Sequence, residues 1–420
     1  MTSSSPTENS LRWAPWWVLA FVALWPLHGP AELVLSLGAL ATLAVLAMSR
    51  FRGGMSLLSH EAWALTSVLF CAYWVPELVS SIDAVDAGRA LRESLVDLRY
   101  LPFLWLVAMA VADERGRRLT FGGIAVIASL WVADGLVQAT TGWSVGGPAT
   151  ADRLSGVFGA ENLKLGLVLA SLAPFPLAAA SQRFGLVGWL LMAAALVVVV
   201  LLAGARASWV TLALVLVCCA CMQFRNRRAI LAVVGGAAVM LVLATAFSDK
   251  LQERVQRTGA MLDGSSEGVD HALSGRLPIW RTAANMAIAH PVNGVGVRGF
   301  RDAYPEYADQ DDPWLDDPDH GAGYHAHQIV LEVLSETGLV GAFFWLGGAA
   351  LAWRAWRFAT PEARRRARAP GLALAVTVFP LNTHLAFYST FWGGLTLLLA
   401  ALYAGSLLAD KPRGDAADGA

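Results

Sequence analysis

The stretch GLVGWLLMAAALVVVVLLA (185–203) carries no charged side chain. As a helix, its nineteen residues would extend about 28 Å, the thickness of a bilayer's hydrocarbon core. The chain repeats this pattern. Of its 420 residues 56% are apolar, and the 31 basic and 32 acidic residues make up only 15%. A soluble domain has roughly 25% charged residues, and mean hydropathy here is +0.53. Such a composition excludes a cytosolic enzyme, a disulfide-rich secreted module and a disordered chain. The net charge of −1 excludes a nucleic-acid binder working by bulk electrostatics.

Working outward, apolar runs predict an all-α polytopic membrane protein of about 12 transmembrane helices. They lie near 13–28, 31–48, 62–80, 98–112, 119–138, 162–180, 185–203, 208–223, 228–247, 327–353, 370–386 and 390–408. Residues 1–12 form a polar leader, and the first span is read as retained rather than cleaved. With the N-terminus in the cytoplasm, 18 of the 31 Lys and Arg residues fall on inner segments. Seven more lie in one long outer segment, 248–326. Only Arg89, Arg92, Arg99, Arg153, Lys164 and Arg206 remain on short outer connections and span ends. Dropping one span would invert half of that pattern. The chain then divides into the leader, nine helices over 13–247, the outer segment, three helices over 327–408 and a cytoplasmic tail, 409–420. Cys71, Cys218, Cys219 and Cys221 sit in apolar runs and read as small core residues, with neither disulfide nor zinc spacing.

Within the outer segment, 274–290 predicts an amphipathic helix capped by Ser274 and stopped at His290-Pro291. NGVGVRG (293–299) reads as a turn, 299–308 as a short helix and the acidic 309–323 as a solvated loop. NGVGVRG lacks the strand–helix context of a dinucleotide loop, nothing suggests ATP, and no metal-ligand spacing such as HExxH occurs.

The candidate chemistry gathers on the outer side. Arg89, Arg92 and Arg99 have acidic neighbours and read as bridged or snorkelling. Arg206 has no acidic residue within forty positions, so it calls for an anion from elsewhere in the chain or from a ligand. Five of eight histidines fall between 271 and 327. His325 and His327 stand where the chain re-enters the membrane, a place suited to a general base or, alternatively, to a helix cap. Glu332, five residues further on, needs a polar partner inside the span. Charges at mid-span are few (Asp134, Glu332), unlike a transporter.

Four stretches together carry a resemblance: DRLSGVFGAENLKLG (152–166), GARASWVTLAL (204–214), SGRLPIWRTAANMAIAHPVNGVGVRGF (274–300) and HAHQIVLEVLSETGLVG (325–341). In order and spacing they resemble the O-antigen ligase/polymerase family, membrane glycosyltransferases of GT-C type acting on polyprenyl-diphosphate-linked glycans. The resemblance implies a GT-C-like fold with a large periplasmic loop domain in the bacterial inner membrane. It implies His327 as catalytic base and Arg206 and Arg276 on the donor diphosphate. Arg153, Tyr324, His325 and Arg281 follow as weaker substrate-binding residues. Gln328 stands where the family usually has Asn. The stretches 91–106 and 379–392, with Asn382, His384 and Tyr388, resemble lipopolysaccharide ligases more than polymerases. The implied partners are an undecaprenyl-diphosphate-linked glycan donor, a lipid A–core acceptor and membrane lipids. No cofactor, metal or nucleic acid is implied.

Overall fold

A computed structural model describes residues 12–51, 57–149, 153–160, 162, 164–223, 235, 273, 275–315, 325–380, 382 and 386–409. The described helices are α1 (Ala14–Ala23), α2 (His28–Phe51), α3 (His60–Ser80), α4 (Ala87–Asp97), α5 (Tyr100–Ala110), α6 (Glu114–Thr141), α7 (Leu165–Leu172), α8 (Pro174–Leu202) and α9 (Arg206–Gln223). They continue with α10 (Leu277–Ala289), α11 (Phe300–Tyr307), α12 (Ile329–Phe358), α13 (Pro361–Arg366), α14 (Arg368–Thr377) and α15 (Thr390–Leu407). A two-residue hairpin, Trp143–Ser144 with Gly147–Pro148, is the strand structure among the described residues. Among the described residues, six helices are long and apolar enough to cross a membrane: α2, α3, α6, α8, α12 and α15. The chain is therefore all-α and multi-pass. Of α15's 18 residues 89% are buried, against 28–44% of comparable windows in the other five. That places α15 at the centre, while Leu40, Leu130 and Phe343 point outward.

Local signals set the boundaries. The Asp113 carboxylate caps α6 by accepting from the Gly116 N–H at 2.8 Å, and Gly142 ends it in the left-handed conformation. Helix α8 is two helices joined at Gly185, where φ is 62° and ψ −147°. Gly166 faces Ala203 and Ser208, and Leu165 lies with Val199 beside Gly135. Residues about twenty positions before and after Gly185 are thus side by side, so the chain reverses there. The separate spans expected at 162–180 and 185–203 are the two arms of this hairpin.

Other expected spans are shorter than the sequence suggested. Helices α1, α5 and α14 have 10, 11 and 10 residues. The expected ninth span, 228–247, lies outside the described residues apart from Gly235. Asp134 is not at mid-span but close to the end of α6, accepting from the Val145 N–H at 2.8 Å. Cys221 is exposed rather than in the core.

In the segment expected to lie outside the membrane, α10 and α11 fall where the pattern put them, with one change. Arg276 occupies the N-cap of α10, and Pro278 stands in the first turn, where its missing N–H costs nothing. Ser274 is outside the described residues.

The turn 291–296 is built into a break in α12. Gly338 has φ 62° and ψ −156°, a conformation restricted to glycine. The helix carbonyls freed there are taken up by the turn: Val295 N–H donates to Ser335 O at 2.8 Å and Gly296 N–H to Glu336 O at 3.1 Å. In return Leu339 N–H donates to Pro291 O at 2.8 Å and Val340 N–H to Val292 O at 3.0 Å. A Cβ on Gly294 would overlap the Glu336 backbone, and one on Gly338 the Val292 backbone. The HPVNGVG and SETG stretches are thus two halves of one backbone junction, which fixes the outer segment to α12 just beyond the histidines.

Candidate active site

Three arginines from separate parts of the sequence converge. Arg206 opens α9, after a turn through Gly204 at φ 76°. Arg153 is brought to the same end of the bundle because Leu154 N–H donates to Leu202 O at 3.2 Å. Gln138 secures that stretch. Its side-chain oxygen accepts from the N–H groups of Ser155 at 3.0 Å and Gly156 at 2.8 Å, and it is 1% exposed. Arg276 completes the group from the start of α10. Burial first, then the cationic Arg206 and Arg153, lower the Arg276 pKa from 12.5 to about 10. At about 10 the Arg276 guanidinium remains charged at neutral pH, so the site holds positive charge in a partly desolvated place.

His325 and His327 stand at the mouth of α12. Their ring centroids are 3.9 Å apart at 45°. His327 has φ 50°, a left-handed backbone that costs a non-glycine residue of order 1–3 kcal/mol and recurs at functional sites. Gln328 holds the turn. Its side-chain oxygen accepts from Leu331 N–H at 2.6 Å, capping α12, and its amide donates to Pro380 O at 2.9 Å. Capping is a role that Asn also fills, which accounts for Gln at this position. Ala326, between the histidines, packs in one buried cluster with Ile279, Ala283 and Phe300. Since Ile279 lies in the first turn after Arg276, the histidine pair and Arg276 share one support.

The acidic stretch is not wholly solvated. Asp312 is 5% exposed and accepts from Tyr304 Oη at 2.9 Å, Thr282 Oγ1 at 3.4 Å and Trp314 N–H at 2.9 Å. The Trp314 indole then donates to Gly275 O at 2.7 Å. Asp312 so ties α10 and α11 to the backbone entering Arg276. Arg281 lies apart from the cluster, exposed and bridged to Asp309 at 2.8 Å. Tyr324 and His384 are outside the described residues.

Beneath the histidines Arg298 acts as a hub. Its N–H donates to Glu336 Oε2 at 2.9 Å, Nε to Tyr388 O at 2.8 Å and Nη2 to Thr390 Oγ1 at 3.1 Å. It also pairs with Glu93 and lies 3.8 Å from Asp97. Glu332 has the polar partner it needs, accepting from Tyr388 N–H at 3.3 Å. Tyr388 Oη and Thr337 Oγ1 are 2.9 Å apart. Arg89 bridges Asp302, and Arg99 bridges Glu32 at 3.0 Å, so both are paired but with partners distant in sequence.

Gln138, Asp312 and Arg298 escaped the sequence reading. The first is one amide in an apolar run, the second one acid among several, and the third a residue inside a turn motif. Glycines at 296 and 299, on either side of Arg298, were the one local hint; the structure gives Arg298 a left-handed φ of 57°. Together the groups offer a polycationic seat for a phosphorylated substrate beside two imidazoles. A comparison with curated proteins finds no match. A family model described as O-antigen ligase matches residues 190–346, a range that contains Arg206, Arg276, His325 and His327. Over residues 190–346 the chain is therefore similar to the O-antigen ligase family, and the long apolar helices among its described residues are those of a multi-pass membrane protein.

Proposed function

We propose that this protein is an O-antigen ligase, moving a glycan from undecaprenyl diphosphate to lipid A–core at the periplasmic face of the bacterial inner membrane, with both termini cytoplasmic. The observation that carries the reading is the convergence of Arg153 and Arg206 on the buried Arg276, next to the support shared with His325 and His327. The donor arrives activated, because its sugar is already esterified to a diphosphate, so no nucleotide is consumed. His327 takes the proton from an acceptor hydroxyl as that oxygen attacks the anomeric carbon. The new C–O bond forms while the bond to the diphosphate breaks, inverting the anomeric centre. Negative charge grows on the departing diphosphate. Arg206 and Arg276 stabilise it through paired, charge-assisted hydrogen bonds, with Arg153 behind them. The guanidiniums supply the charge compensation that a metal would otherwise provide, so transfer proceeds in EDTA. His325 flanks the acceptor.

The test combines purified protein, a polyprenyl-diphosphate glycan and lipid A–core, without nucleotide and with EDTA. Glycan appearing on lipid A–core, seen as a gel shift of the acceptor, is the expected result. Elongation of the lipid-linked glycan instead would make the protein a polymerase. Transfer to a protein acceptor alone would make it a protein O-glycosylation ligase. Dependence on a divalent metal would overturn the mechanism.

A further inference from the structure

At the opposite end of the bundle lies a second basic recess, a cavity of about 710 Å³. Its walls include Arg117, Arg118, Arg365, Arg366 and Arg368, with Glu114 and Glu362 as the acidic residues. The first turns of α6 line it, whereas Gln138, near the far end of α6, supports the arginine site. Across 24 residues of helix the two places are separated by about 36 Å. The cavity is therefore not part of the proposed transfer site.

Its charge is only partly compensated. Glu114 pairs with Arg118, and Glu362 lies 3.9 Å from Arg366. Among the described residues, Arg117, Arg365 and Arg368 have no carboxylate in bridging range. Arg117 donates to Val111 O at 3.1 Å, and Arg368 to Met222 O at 3.5 Å, which orients both guanidiniums without neutralising them. Basic residues flanking spans serve orientation wherever they stand. Here they come from α6, α13 and α14 and line one recess.

The rest of the wall is apolar. Phe121, Phe175, Trp189 and Leu372 face the same space. Between the lining residues Gln182 and Trp189, the hairpin tip exposes Phe184, Leu186 and Val187. A ligand with an anionic head and hydrocarbon tails satisfies both halves of this lining, and a bilayer supplies such a molecule.

We infer that this cavity is a binding site for the phosphate headgroup of an anionic diacyl phospholipid, drawn from the leaflet facing away from the arginine–histidine site. The phosphate sits among Arg117, Arg365 and Arg368, and the glycerol backbone and upper acyl chains lie against the accessible Phe121 and Met222 of the same lining.

The full-length protein in neutral detergent is titrated with phosphatidylglycerol and, separately, phosphatidylcholine, and bound lipid is counted by native mass spectrometry. Saturable phosphatidylglycerol binding at least about tenfold tighter than phosphatidylcholine is expected. It weakens roughly thirtyfold in Arg365→Gln/Arg368→Gln and is largely kept in Arg365→Lys/Arg368→Lys. Both side chains are exposed, so these variants should keep the wild-type melting temperature. The wild-type comparison of the two lipids decides the matter by itself if they do not. Equal binding of the two lipids, or no change in the glutamine variant, would overturn the inference. Full displacement by millimolar glycerol 1-phosphate would also overturn it, because the site would then take a soluble phosphate rather than a lipid.

Discussion

The Trp314 indole N–H donates to the carbonyl of Gly275, the residue before Arg276, at 2.7 Å. Because Asp312 accepts from the Trp314 backbone N–H and from Tyr304, the path of the chain into Arg276 is set by a buried polar unit.

Trp314→Phe keeps a ring and deletes that donor. One hydrogen bond of this kind is worth about 1 kcal/mol, so transfer should fall roughly fivefold to tenfold. Far-ultraviolet circular dichroism should be unchanged. An unaltered turnover number would show that Arg276 does not depend on this brace.

The three-arginine cluster predicts a contrast between guanidinium and ammonium. Arg206→Lys and Arg276→Lys should each lose about 10²-fold in transfer, since a point charge cannot make paired bonds to a diphosphate. Arg281→Ala, on an exposed bridge to Asp309, should change the rate by less than about threefold. Steady-state rates with one donor preparation compare all three.

Gly338 joins α12 to the turn 291–296. Gly338→Ala forces a left-handed, glycine-only conformation on a Cβ that overlaps Val292. Destabilisation of roughly 3 kcal/mol or more is expected. Gly347→Ala meets nothing within 4 Å and should leave the detergent melting temperature within a degree or two of wild type.

Asp97, at the end of α4, has its pKa raised from 3.8 to about 6, chiefly by burial and against the pull of Arg298 and Arg99. A raised carboxyl pKa means that the folded state holds a proton the unfolded chain has released. Stability from this group is therefore present below pH 3.8 and lost as pH rises to about 6. Asp97→Asn should raise the melting temperature at pH 7.5, and the gain should shrink steadily between pH 6 and pH 4. A constant difference across that range would contradict the assignment.

Much of the helical plan was readable, because lipid-facing helices must be long and apolar whatever their neighbours do. The reversal between the spans expected at 162–180 and 185–203 falls at Gly185, as the basic Arg183 beside it suggested. The pattern could not reveal the break at Gly338, since its hydrogen bonds are satisfied by a turn more than forty residues away. The shortness of α5 and α14 was hidden too, as apolar residues there continue beyond the helix ends. The candidate arginine cluster could be anticipated where charge stood out against an apolar background, as at Arg206. It was illegible where a polar residue works through burial, as with Gln138 and Asp312, because sequence gives no measure of what surrounds an amide or a carboxylate.

The central claim is that His327 supplies the base while the arginines hold the donor. The most direct measurement compares His327→Ala with wild type in two assays on the same preparation: binding of the polyprenyl-diphosphate glycan, and its transfer to lipid A–core. The account predicts donor binding within about threefold of wild type and transfer reduced by 10²-fold or more. Transfer at the wild-type rate by a folded His327→Ala variant would contradict it.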